Sequence, residues 1–102
     1  MTIDEIVRLS FLRALYGRAH CELLSCSASV GEGAIAIRVV HMTGSPEIDD
    51  DIASIIAEMI ADFPDLKLID EIVPVTSYSE VTTLGALEIG LFLRPEPAVS
   101  AL

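Results

Sequence analysis

Between Pro46 and Pro64 the chain has little choice of structure. Ile48, Ile52, Ile55, Ile56, Met59, Ile60 and Phe63 recur at i, i+4, i+7, i+8, i+11, i+12 and i+15. That spacing puts every one of them on a single helical face for four turns. Ser45 and Pro46 supply an N-cap and a first-turn proline, and Pro64 stops the run. The pattern predicts a helix over Pro46–Phe63 with one side in the core. Asp49, Asp50 and Asp51 stand near its start. Three successive helical positions fan through roughly 200°, so these carboxylates do not converge on one ion. They complement the positive end of the helix dipole instead.

The flanking sequence predicts two helix–hairpin units. An earlier helix, from about Ile3 to Gly17, has Ile3, Ile6, Val7, Ser10, Phe11, Ala14 and Leu15 on one face, with Thr2 and Glu5 as a capping box. Leu9, Leu12 and Tyr16 form a second apolar stripe off that face. Cys21–Val30 and Ala34–Met42 read as strands joined by Gly31, Glu32 and Gly33. After the second helix, Leu66–Val73 and Leu84–Arg94 read as another hairpin, with Pro74 marking an edge or the end of its strand. The expected fold is α+β, in the order α-β-β-α-β-β. It has a four-stranded, mainly antiparallel sheet and both helices on one face. One domain spans residues 1–94, and residues 95–102 form a loose tail.

Charge narrows the function classes. The net charge is −10, and it is unevenly placed. Residues 1–45 balance Asp4, Glu5, Glu22 and Glu32 against Arg8, Arg13, Arg18 and Arg38, whereas beyond Ser45 only Lys67 and Arg94 oppose twelve acidic groups. A phosphate-backbone binder needs a basic patch, so no nucleic-acid partner is expected. No apolar run is long enough to span a membrane. The acidic start, interrupted by Arg8 and Arg13, is not that of a signal peptide, which points to the cytoplasm. Cys21 and Cys26, an odd five positions apart on one strand, face opposite ways and are expected to be reduced thiols. Apolar residues make up 52 % of the chain, with mean hydropathy +0.58. So apolar a small chain implies a covered surface, most simply a homodimer.

Three groups of residues are candidates for chemistry. His20, Cys21, Glu22 and His41 lie near the open end of the first hairpin. With Glu22 opposite His41, the carboxylate would orient the imidazole as a base. Adjacent strand residues point to opposite faces, however, so His20 and Cys21 do not join one site, and an ordinary polar sheet end explains the group equally. The hydroxyl-rich loop Thr76–Thr83 offers Tyr78, Ser79 and Glu80 for binding. Asp49–Asp51 is explained by the helix. Neither a resident metal nor a cofactor is indicated, and no phosphate loop or nucleophile elbow is present.

The expected function is therefore that of a small acidic binding or regulatory protein of bacterial character. It would be homodimeric and act through protein–protein contacts as an adaptor, chaperone or inhibitor of a basic partner. The alternative is a small-ligand-binding or enzymatic domain that uses the His/Glu group.

Overall fold

The computed structural model describes residues 1–18, 22–43 and 46–95. They form α1 (Ile3–Leu15), β1 (Leu23–Gly31), β2 (Ala34–Met42), α2 (Pro46–Asp62), β3 (Lys67–Val75), α3 (Ser79–Leu84) and β4 (Ile89–Leu93). The fold is α+β, with three helices and one four-stranded mixed sheet in the order β3-β2-β1-β4.

The two long helices arise as their patterns dictate. Thr2 accepts from the Glu5 N–H and Glu5 reaches back to Thr2, so a capping box starts α1. Val7, Ser10, Phe11 and Ala14 are its buried face. In α2, Ile48, Ile52, Ile55, Ile56 and Met59 are buried. Each stabilises the fold by about 1.5–3 kcal/mol if fully withdrawn from water. Ile60 departs from the expected face and is 49 % exposed. The inner faces of both helices meet Cys26 and Ala28 of β1, Ile35, Ile37 and Val39 of β2 and Ile89 of β4 in one core. A second, smaller cluster joins Leu24, Val40, Val75 and Val81, the last from α3.

The first hairpin has a two-residue turn, Glu32-Gly33, with Gly31 opposite Ala34. Gly33 adopts φ +72°, a conformation that residues with a Cβ resist. The second hairpin does not form. β3 and β4 lie at opposite edges of the sheet, and α3 occupies part of the expected loop. β3 instead pairs parallel with β2, from Ala34–Lys67 to Met42–Val75. The physical reason is α2. A long helix between two strands carries the chain back across the sheet, so the next strand enters in the same direction as the last. One of the three strand pairings is thus parallel, and the sheet is mixed rather than an assembly of two hairpins.

Register departs from simple alternation in two places. One irregularity in β1 falls between Leu23 and Ser25, and one in the β1–β4 pairing between Cys26 and Ser27. The second changes the parity of β4 along its length. Ile89 pairs with Ala28, but Leu93 pairs with Ser25. The tail expected beyond 95 lies outside the described residues.

Candidate functional site

The turn and the β1 irregularity together decide the fate of the histidine group. The turn sets Gly31 opposite Ala34, a register that would bring Leu24 to His41. Leu24 and Ser25 both fall on the Val40 side of the sheet, which shifts it by one, so that Leu23, not Glu22, stands opposite His41. Glu22 accepts through its backbone carbonyl from the Met42 N–H, at 2.9 Å. The expected Glu22–His41 register is therefore one residue out. His20 and Cys21 lie outside the described residues.

His41 shares the parity of Ile37 and Val39, and so points toward α2. It is 5 % exposed. Its Nδ1 lies 2.8 Å from the Met42 carbonyl oxygen. A carbonyl oxygen accepts, so Nδ1 is the donor in this contact. Around it, Thr43, Pro46, Ile48, Asp49 and Ile72 border a groove of about 530 Å3 between the start of α2 and the end of β3. Among the described residues, the one carboxylate bordering this groove is Asp49, which its place in the first turn assigned wholly to the helix dipole. The pairing of β2 with β3, which makes the groove, was not legible locally.

A second groove, of about 520 Å3, lies between α3 and β4. Tyr78, Val81, Gly85, Gly90 and Phe92 line it. The Tyr78 hydroxyl donates to the Arg94 carbonyl, which fixes the ring. Ser79 and Glu80 serve the loop. Glu80 accepts from the Thr76 and Ser77 N–H groups at 2.8 and 3.1 Å, and these two bonds hold its carboxyl below the usual carboxylate range. The Ser79 hydroxyl meets that of Ser77. Cys26 also borders the groove, with its thiol pushed up to about 12 by burial.

Charged groups divide into paired and unpaired sets. Arg13 binds Asp62, Arg18 binds Glu58, and Arg38 binds Glu71. Asp62 also accepts from Ser10 at 2.7 Å, and this bond and that from Arg13 hold its carboxyl below the ordinary range. Glu47, Asp49, Asp50 and Asp70, all exposed, enter no ion pair among the described residues. They belong to α2 and β3, and Asp70 pairs in register with Ile37 of the neighbouring strand. Among the described residues no group of three or more His, Cys, Asp or Glu is placed to hold a metal ion, and no helix is long and apolar enough to cross a membrane.

The chain matches no protein-family model and no curated protein sequence.

Proposed function

We propose that this is an acidic binding protein that takes a basic segment of a partner protein on its β3–α2 side, as an adaptor, chaperone or inhibitor would. The observation that carries this reading is the edge of β3. The strand is nine residues long and is paired on one side only, with β2. Its outer edge offers backbone donors and acceptors to an added strand. Ile69 and Ile72 are 49 % and 42 % exposed along it. Asp70 on the strand, with Glu47 and Asp49 on the neighbouring helix, supplies negative charge that has no counter-ion among the described residues. An extended segment that alternates lysine or arginine with apolar residues answers both features. Opposite charge speeds such an encounter and makes it salt-sensitive.

His41 supports the small-ligand alternative less well. It is buried, and its Nδ1 is engaged by its own strand.

The test is capture from the native extract by immobilised protein, with the double variant D49N/D70N alongside. Both positions are exposed, so the fold is retained. The expected outcome is a basic set of partners that is lost on the variant and released by roughly 0.3 M salt, where the Debye length falls below that of physiological buffer. A neutral or acidic set that withstands both changes overturns the reading.

A further inference from the structure

Helix α1 has two apolar faces, and the fold uses one. Val7, Phe11 and Ala14 enter the core. On the other side Ile6, Leu9, Leu12 and Tyr16 are 39 %, 52 %, 57 % and 87 % exposed. With Met1 they border a groove of about 660 Å3 that Arg13 and Asp62 close at one side. Exposed apolar residues scattered singly are ordinary, but a stripe repeating along one helical face is not.

We propose that α1 is the interface of a homodimer in which two copies of the helix pair antiparallel about Leu9. Two features select a second copy as the occupant. The first is net charge. The chain carries −10, so two copies repel over most of their surfaces. Helix α1 is balanced, with Asp4 and Glu5 against Arg8 and Arg13. The second is the arrangement of charge about the stripe. Glu5 and Arg13 stand four residues before and four residues after Leu9, and at about 100° per residue they lie about 40° to either side of it, on the face of the stripe. A two-fold axis places the same patch of both copies together. With the helices antiparallel, Leu9 meets Leu9, Ile6 meets Leu12, and Glu5 of each copy comes level with Arg13 of the other. With the helices parallel, Glu5 would meet Glu5 and Arg13 would meet Arg13. Only the antiparallel pairing joins opposite charges and opposes the helix dipoles. Arg13 is already held by Asp62, yet its side chain is 72 % exposed, so guanidinium donors still face outward. The interface uses residues other than those of the β3 edge, so either proposal stands if the other fails.

Sedimentation of the full chain at up to about 200 µM tests it, a range suited to a small interface. The wild type is expected to be dimeric. L9D and, independently, L12D should weaken association at least about tenfold with unchanged far-UV circular dichroism, because both side chains are half exposed in the monomer. E5R alone and R13E alone should each weaken it, since each puts like charges level with one another. An equimolar mixture of the two should regain wild-type association, because every cross-pair is then of opposite sign. A monomeric wild type, a dimer indifferent to L9D and L12D, or a mixture no tighter than its separate components overturns the proposal.

Discussion

Cys26 shows how one buried atom couples the fold to pH. Its residue is 2 % exposed, and desolvation raises the thiol from 9.0 to about 12. The unfolded chain releases this proton near its ordinary value, whereas the folded chain keeps it. The folded state therefore binds more protons between those values, and stability falls as pH rises through that window. The slope approaches about 1.4 kcal/mol per pH unit for one thiol. Urea unfolding at pH 8 and pH 10 is expected to show the loss, and C26A should show less of it. An equal loss in the variant would assign the effect elsewhere. That this residue lies on the first strand was legible in the sequence. The placing of Glu22 was not. Nothing in Gly31-Glu32-Gly33 fixes which two residues make the turn, and nothing in Leu23, Leu24 and Ser25 announces that two neighbouring residues will share a face; together these set Leu23 opposite His41.

At the scale of elements, α2 was the most legible because its period, first-turn proline and stop agree; the expected cap, Ser45, lies outside the described residues. Substituting Ile52, 2 % exposed between helix and sheet, tests its weight. Ile52→Ala is expected to cost about 2–5 kcal/mol in urea unfolding, from lost burial and the cavity left behind. A cost below about 1 kcal/mol would mean that the helix packs more loosely than its burial implies. Strand pairing was much less legible. Lys67–Val75 and Ile89–Leu93 have the composition of strands, and the segment between them has the composition of a loop. A hairpin is then the local reading. The deciding interactions are remote: β3 docks beside β2 beneath the return path of α2, while β4 finds the opposite edge, where the Leu87 N–H donates to Ser27. Alternation along a strand says which face is apolar, but it does not say which neighbour it will meet.

For the whole molecule, the charge excess was legible from composition, and the structure adds how little of it is offset. Ion pairs engage Arg13, Arg18 and Arg38, while Glu47, Asp49, Asp50 and Asp70 enter none among the described residues. Self-repulsion then opposes folding. Raising sodium chloride from about 20 mM to about 200 mM shortens the screening length to below 10 Å. The melting temperature is expected to rise across that range in a calorimetric or circular dichroism melt. A fall would mean that the internal ion pairs outweigh the repulsion.

The position of β1 between β2 and β4 has a consequence for how the molecule is made. One flank of β1 is filled almost at once by β2, after a two-residue turn. The other waits for a strand about 60 residues further along, as the Ser27–Leu87 bond measures. At roughly 5–20 residues per second of synthesis, that interval lasts about 3–12 seconds. Throughout it, a nascent chain carries an open strand edge beside exposed core side chains. Ribosome pausing before Ile89 would prolong that exposure, and faster elongation through Ala86–Leu93 would shorten it.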